Sequence, residues 1–299
     1  FKNIFINELG WEIFCDTPIN NDLQVIYNMN NFESNKNSII LRSPESSKGM
    51  IRLINGEDRI RKKPRSFRWG GFEIVVKNNL DEIYNKLLNY KNFIPISPPQ
   101  NYDFTNVQSN IHRAFSAQLP GGTHGTFTMK VTEPENRLFP NAHANVGHIF
   151  EIPLNTNNYT DTKNFYENHL GLKKILESIS NDGPLHKSWN IPSGEKYSLG
   201  IFKSSGENSG NGSVEIHGCK SIYIDEDVDT KSNENLDSGA CLVTFSVENI
   251  KFLHRALKMN NIEVSNIIKT DTKPYNNSLI FTAKGPNKEM LEFVEEWKN

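Results

Sequence analysis

A histidine and a glutamate, each in a predicted apolar strand, are the residues of this chain with the clearest potential for chemistry. His148 opens the apolar run 147–152. Glu292 lies far downstream, in the run 290–295 that follows a glycine turn. An imidazole nitrogen and a carboxylate oxygen on facing strands are a common beginning of a metal site, because both bind divalent cations. The two residues therefore raise the hypothesis of a metal site.

The elements that would position these residues form a repeated pattern. Residues 4–11 and 165–172 are each an amphipathic helical turn that ends in Leu-Gly, where glycine stops the helix. Residues 72–80 and 242–250 are each an apolar strand that runs into a helix. The repetition predicts four strand–helix–strand–strand–strand units, two in each half of the chain.

The helices that follow the second pair of strands have similar predicted starts. Asn79 and Asn249 stand where an N-cap is expected, and each is followed by apolar residues at helical spacing. Asn79 with Glu82 resembles a capping box, with asparagine in the place of serine or threonine. Both helices are therefore predicted to pack one face on a sheet.

The first unit is incomplete in the sequence given. Its predicted helix begins at Phe1, so the strand expected before that helix has no counterpart. Its last strand, residues 49–54, does match residues 212–217 of the third unit. We therefore expect the first module to lack its first strand, and the counterpart of His148 to lie upstream of residue 1.

Length and composition limit the classes of protein that the chain can be. Its 299 residues predict about two domains, which we place at 1–138 and 145–299. A net charge of −2 provides no field that would attract nucleic acid or a membrane surface, and no apolar run is long enough for a spanning helix. Three distant cysteines (Cys15, Cys219 and Cys241) predict reduced thiols and a cytoplasmic location. A targeting peptide ahead of Phe1 would not be visible in this sequence.

The four units and two motifs resemble the vicinal oxygen chelate superfamily, which includes glyoxalase I, extradiol dioxygenases, methylmalonyl-CoA epimerase and bleomycin-resistance proteins. The motifs are Phe-Tyr-x-x-x-Leu-Gly at 165–171 and Gly-Pro-Asn-x-x-x-Leu-Glu-Phe-Val-Glu at 285–295. The resemblance implies an α+β fold in which four βαβββ modules pair into two cupped mixed-sheet domains. It also implies metal ligands on the first and last strands of each unit, and a metal that binds two adjacent oxygens of a small-molecule substrate.

Carried onto this sequence, the resemblance points to the C-terminal half as the part that bears the site. His148 would lie on the first strand of unit three, Glu215 on the last strand of that unit, and Glu292 on the last strand of unit four. Leu242 stands at the fourth position and cannot bind a metal. His217 lies two residues beyond Glu215 on the same strand face and could replace that ligand. The set would suit divalent Fe, Mn, Zn or Ni.

The N-terminal half departs further from the superfamily pattern. Its matching positions are Arg52, Phe72 and Thr128, from which no metal site follows. We therefore expect an N-terminal domain without metal ligands. The basic segment 59–68 between units one and two is interpreted as a solvated connection. The alternatives are contact with nucleic acid or phosphate, and recognition of an anionic substrate or another subunit.

Each candidate ligand also has an ordinary structural interpretation. His148 could bond to a backbone carbonyl, and Glu215 and His217 could lie on a solvated strand face. Glu292 has apolar neighbours on both sides and would be costly to bury unless it is paired. In the alternative register its carboxylate would face water.

These observations favour a metal-assisted enzyme of the glyoxalase or dioxygenase type that acts on a substrate with adjacent oxygens. Glu292 would also serve as the general base. Isomerase, lyase and dioxygenase reactions stay open, although the leucine at position 242 argues against ordinary extradiol cleavage. The alternative is a non-catalytic protein that binds a small molecule in a metal-free cup. We expect neither a nucleic-acid nor a membrane partner, and a homo-oligomer is one possible assembly.

Overall fold

The computed structural model describes residues 1–27, 37–55, 69–103, 111–132, 140–183, 186, 189, 191–204, 212–221 and 242–296. The first half contains strands β1 (Glu12–Asp16), β2 (Ser38–Arg42), β3 (Ile51–Ile54), β4 (Gly71–Val76), β5 (Ile94–Asp103), β6 (Ile111–Gln118) and β7 (His124–Lys130). The second half contains β8 (Val146–Thr156), β9 (Lys173–Ser180), β10 (Tyr197–Lys203), β11 (Ser213–Gly218), β12 (Leu242–Val247), β13 (Ile268–Lys269), β14 (Leu279–Lys284) and β15 (Met290–Glu295). The basic segment 59–68 lies outside the described residues.

The helices are short and few compared with the strands. They are α1 (Asn21–Ile26), α2 (Leu80–Leu87), α3 (Tyr159–Asn168) and α4 (Ile250–Met259), with a π-helical segment at Ile4–Glu8 and a 3₁₀ turn at Pro120–Gly122. None of the helices in the described ranges is long and apolar enough to cross a membrane. The prediction of an α+β fold built from βαβββ modules is confirmed.

The predicted helix ends are confirmed with one exception. Gly10 and Gly171 both adopt a φ of 70°, the left-handed conformation that glycine allows at a helix end. Asn249 caps α4, because its Oδ1 accepts a hydrogen bond from the Phe252 amide at 3.0 Å. Asn79 has a φ of 60° and its side chain makes no capping bond, so the capping-box interpretation is wrong at α2.

The central element is an eight-stranded sheet with the order β5-β6-β7-β4-β8-β11-β10-β9. It contains all of unit two (β4–β7) and all of unit three (β8–β11). The first strands of the two units meet in the middle, where β4 and β8 are antiparallel and Glu73 lies opposite Glu151. Each first strand is also parallel to the last strand of its own unit.

Units one and four form two smaller sheets, β1-β2-β3 and β12-β15-β14-β13. Side chains of the two units pack together in one buried apolar cluster, which includes Ile19, Leu23, Tyr275 and Ile280. Thr282 Oγ1 of unit four also donates a hydrogen bond of 2.7 Å to the Ile26 carbonyl of unit one. Unit one therefore faces unit four.

This arrangement differs from the predicted domains 1–138 and 145–299. Those boundaries would pair the units in chain order, one with two and three with four. The β4–β8 ladder crosses the predicted boundary and joins unit two to unit three instead. Two cups result, and we call them the central cup (units two and three) and the outer cup (units one and four).

Candidate metal site

Three buried glutamates meet on one face of the central sheet. Glu73 on β4, Glu151 on β8 and Glu215 on β11 each offer a carboxylate oxygen, and these oxygens lie within 4.8 Å of one another. Their exposed fractions are 9%, 5% and 8%. Within the part of the chain that is described, this is the group of acidic, histidine or cysteine side chains that is arranged closely enough to share a cation.

The strand register explains why these side chains converge. Glu73 and Glu151 are paired across the antiparallel β4–β8 ladder, and in the parallel β8–β11 ladder Glu151 is paired with Ser213, two residues before Glu215. Alternation sends Ile74, the neighbour of Glu73, to the opposite face, where it enters the apolar core under the helices. An irregularity in the β4–β8 register pairs Ile74 with Ile149, which belongs to the same core. One face of two apolar strands therefore carries carboxylates into the central cup.

Burial and mutual repulsion raise the pKa of two of these carboxyl groups. The pKa of Glu73 is raised to about 8, mainly by burial and then by the charge of Glu215. The pKa of Glu151 is raised well above its usual range by burial, by Glu215 and by Glu73. Two anions this close in a buried site are unfavourable unless a proton or a cation compensates for the charge.

Hydroxyl groups orient the two carboxyl groups whose pKa values are raised, Glu73 and Glu151. Ser213 Oγ donates to Glu151 Oε2 at 2.6 Å. Thr128 Oγ1 donates to Glu73 Oε1 through a very short hydrogen bond. Thr128 stands at a position that the superfamily resemblance had marked in the N-terminal half. It supports a carboxylate rather than binding as a ligand itself.

His217 adds an imidazole to the edge of this group. The side chain is fully buried, and Nδ1 shares a very short hydrogen bond with the Tyr197 hydroxyl. Nε2 lies 2.8 Å from Glu215 Oε2, which is an ion-pair distance, but it has no hydrogen-bond partner. A buried nitrogen without a partner, next to a carboxylate oxygen, is the arrangement expected of two groups that share a cation.

The chemistry of the donor set fits a divalent metal. Carboxylate oxygens suit Mg²⁺, Mn²⁺ and Fe²⁺, and an added imidazole extends the range to Zn²⁺ and Ni²⁺. A divalent cation would also compensate for the buried negative charge, which Glu73 and Glu151 otherwise reduce by holding protons. The residues present therefore fit the metal that the superfamily resemblance implies.

An aromatic side chain borders the site. The indole of Trp189 is buried, and its ring centroid lies 4.3 Å from that of His217 and 4.4 Å from that of His124. His124 begins β7 of unit two and His217 lies on β11 of unit three, so Trp189 bridges the two units. Its ring packs against that of His217, which is fully buried.

The four residues predicted as site residues are divided among different places. Glu215 and His217 lie together in the central cup. His148 lies on β8, as Glu151 does, and is buried. Its ring centroid is 6.4 Å from that of His143, and its Nδ1 has no hydrogen-bond partner. Burial, His143 and Lys48 lower the pKa of His148. Glu292 lies on β15 in the outer cup.

Glu292 is held in a closed network of hydrogen bonds. Oε1 accepts hydrogen bonds of 2.7 Å from Tyr27 and from Tyr275, and Oε2 accepts one of 2.6 Å from Thr244. Arg52 Nη1 donates to both phenol oxygens, at 2.9 Å and 2.7 Å. The network links unit one to unit four, and it occupies the oxygens that a metal or a substrate proton would need.

Two residues of the central group, Glu73 and Glu151, were not predicted. The resemblance had marked Phe72, but the side chain of Phe72 packs in the apolar core, and its neighbour Glu73 faces the cup. A shift of one residue in a strand reverses the face. The available signal was a single carboxylate within each of two apolar strands, 71–76 and 146–154.

Comparisons with known proteins identify the fold. No family model matches the chain, and no curated protein matches its sequence. Among solved structures, glyoxalase I from Zea mays superposes with a TM-score of 0.61 at 13% identity, covering 98% of this chain and 86% of that chain. A protein from Bacillus subtilis subsp. subtilis str. 168, named for an inferred dioxygenase activity, gives 0.59 at 10% identity, covering 99% and 81%.

At identities this low, the similarity of the structures shows a shared fold and does not show a shared reaction. The match extends over nearly the whole chain in both structures, so it includes the central and the outer cup. The chain therefore shares the fold of these two structures, in agreement with the fold that the sequence motifs predicted.

Proposed function

We propose that this chain is a divalent-metal-dependent enzyme of the glyoxalase or dioxygenase type, with its reaction centre in the central cup. Glu73, Glu151 and Glu215 would hold the metal, with His217 as a further ligand. The substrate would be a small molecule with two adjacent oxygens. The observation that supports this most strongly is the convergence of three buried carboxylates beside an imidazole nitrogen that has no hydrogen-bond partner.

A bound metal would supply Lewis acidity, polarising an oxygen of the substrate. The protein's own groups would provide position and proton transfer. Tyr197 fixes the ring of His217 through Nδ1, and Ser213 and Thr128 fix the two neighbouring carboxylates. Trp189 packs against the ring of His217. These contacts favour one arrangement of the donor atoms before any ligand enters.

Glu73 is the residue that we propose as the proton carrier. Without a metal, burial raises its pKa to about 8. A bound cation would favour the ionised carboxylate, which could then accept a proton from the substrate. Glu292, which was predicted for this role, has both oxygens engaged by hydroxyl donors in the outer cup. We therefore transfer the general-base role from Glu292 to Glu73.

A second candidate is a non-catalytic small-molecule binding protein. The raised pKa values of Glu73 and Glu151 favour it, because these groups hold protons at neutral pH when no cation is present. Such a cup would be nearly neutral and partly aromatic. It would bind an uncharged ligand without a metal. A cytoplasmic location and a homo-oligomeric state stay predictions under both functions.

The metal content of the purified protein separates the two candidates. Protein prepared without chelators should contain close to one divalent metal per chain, measured by elemental mass spectrometry. Glu151→Gln should lose most of it, whereas Glu248→Gln, at an exposed position, should retain it. His148→Ala should also retain the metal. A metal-free wild type that still binds small molecules would support the binding protein instead.

A further inference from the structure

A row of paired residues crosses the central sheet from the three glutamates to the strand β9. Glu73 of β4 lies opposite Glu151 of β8, and Glu151 is paired with Ser213 of β11. The row continues from Ser213 to Lys203 of β10, and from Lys203 to Lys173 of β9. Residues that lie directly opposite each other in neighbouring strands project from the same face of a sheet. The register therefore carries two lysines onto the face that bears the carboxylates.

The side chain of Lys203 lies at the end of an apolar wall of the central cup. The β10–β11 ladder is regular, so alternation places Lys203 on the same face as Tyr197 and Ile201. Tyr197 is hydrogen-bonded to His217 inside the cup, which identifies this face. Tyr197 and Ile201 belong to a buried apolar cluster that includes Trp189. Lys203 is thus the charged residue with which this wall ends.

The ammonium group of Lys203 lacks a counter-ion in the described part of the chain. The side chain is half-buried, and none of the ion pairs between described residues includes it. Burial lowers the pKa of Lys203, and the charge of Glu151 acts in the opposite direction. Lys173, directly opposite, carries the same charge, and like charges in this position are unfavourable. A negative charge placed between the two lysines would therefore be stabilised.

Glu151 does not serve as that negative charge. Its carboxylate and the Lys203 ammonium do not form an ion pair, and its pKa is raised well above the usual range, so it holds a proton when no metal is bound. In the metal-bound protein its charge would be directed to the cation. The two lysines therefore face the cup with their charge available to a ligand.

The span from the carboxylates to Lys203 suits one small molecule. Neighbouring strands lie about 4.8 Å apart, so two steps across the sheet place the backbone of Lys203 roughly 10 Å from that of Glu151. Both side chains extend from the same face and shorten this interval. A small molecule that is bound near the carboxylates can therefore reach the ammonium with its opposite end.

We propose that Lys203, with Lys173 beside it, binds an anionic group of the substrate at the end remote from the metal. The inference rests on the proposed metal-dependent function and narrows its substrate class. The substrate would carry a negatively charged group, such as a carboxylate, in addition to the two adjacent oxygens that bind the metal. An ion pair with a half-buried ammonium would both orient the molecule and select it against neutral analogues.

Two matched probes test the proposal on the full chain loaded with Mn²⁺. They are 3,4-dihydroxybenzoate and 3,4-dihydroxybenzamide, which share two adjacent oxygens and differ in the charge of the opposite group. Calorimetric titration without dioxygen measures the binding of each. We expect the wild type to bind the benzoate at least about tenfold more tightly than the benzamide.

Three variants show whether the preference depends on Lys203. Lys203→Met should remove the preference, with benzamide binding and Mn²⁺ content unchanged. Lys203→Arg should retain it, because the charge is kept. Lys174→Met is the matched control, because its ammonium pairs with Glu177 at 2.6 Å and its neighbour across β10, Phe202, packs in the core under α3. We expect this variant to behave as the wild type does.

The remaining outcomes separate this inference from the function on which it rests. Equal binding of the two probes by the wild type would overturn the anion site and leave the metal site supported. The same follows if Lys203→Met weakens the binding of both probes equally, because the lysine would then support the shape of the cup. Binding of neither probe by Mn²⁺-loaded protein would overturn both proposals.

Discussion

Burial determines the charge of the carboxyl groups in the central cup, and this gives the site a pH dependence. Glu73 has a pKa of about 8 in the folded chain, compared with its ordinary value of 4.5. A carboxyl group whose pKa is raised by folding binds more protons in the folded state. The contribution of Glu73 to the free energy of unfolding is therefore largest below pH 4.5 and falls as the pH rises towards about 8.

In metal-free protein, we expect the free energy of unfolding to fall by up to about 1.4 kcal/mol per pH unit for one such group. Denaturant unfolding in the presence of a chelator, at a series of pH values between about 5 and 8, measures it. Glu73→Gln should flatten the dependence, because glutamine does not titrate. An equal slope in the wild type and in Glu73→Gln would contradict the assignment.

The hydrogen-bond network of Glu292 predicts a role in stability rather than in metal binding. Glu292→Gln removes the anion that compensates Arg52 through the two tyrosines. Breaking one partner of a buried charge pair costs about 3–5 kcal/mol. Denaturant unfolding should show a large loss for Glu292→Gln, and a change within about 0.5 kcal/mol for the exposed control Glu248→Gln.

The combination of Glu292→Leu with Arg52→Met provides the second part of this test. The loss of stability in the double variant should be much smaller than the summed losses of Glu292→Leu and Arg52→Met measured alone, because no uncompensated charge then remains. Strictly additive losses in the double variant would show that Arg52 and Glu292 are not coupled.

At the scale of single elements, one glycine fixes the start of β4 next to the site. Gly71 has a φ of 138°, and a Cβ at this residue would lie 1.8 Å from the His124 carbonyl oxygen of β7. The β4–β7 ladder that positions Glu73 and Thr128 therefore requires glycine here.

We expect Gly71→Ala to lower the free energy of unfolding by more than about 2 kcal/mol. Gly212→Ala is the matched control, because a Cβ at Gly212 would meet no atom within 4 Å. Thermal or denaturant unfolding of the two variants measures the difference. Similar stability of both variants would mean that β4 and β7 can separate without loss.

Sequence patterns at this scale predicted the elements better than the faces of their side chains. The repeated helix stops at Gly10 and Gly171, and the alternation around Glu215 and His217, correspond to observed elements. Glu73 was missed because a strand register shifted by one residue exchanges the two faces. That register depends on the β4–β8 pairing, a long-range contact that no local pattern contains.

At the scale of the whole molecule, the sequence predicted the paired-module fold but not which units pair. Four similar units can combine in chain order or with the inner pair enclosed by the outer pair, and their local patterns are the same in both cases. The choice depends on the β4–β8 ladder and on the packing of Tyr27 against Tyr275. The pairing of units also determines which residues form the site. Glu215 lies beside Glu73 and Glu151, and not beside Glu292.

We propose that the metal binds in the cup between units two and three. Calorimetric titration of metal-free protein with Mn²⁺, near pH 8 so that Glu73 can release its proton, measures this binding. We expect one site per chain in the wild type and in Glu292→Gln, and at least about tenfold weaker binding in Glu215→Gln and Glu151→Gln. Binding that survives in Glu215→Gln and is lost in Glu292→Gln would contradict the account.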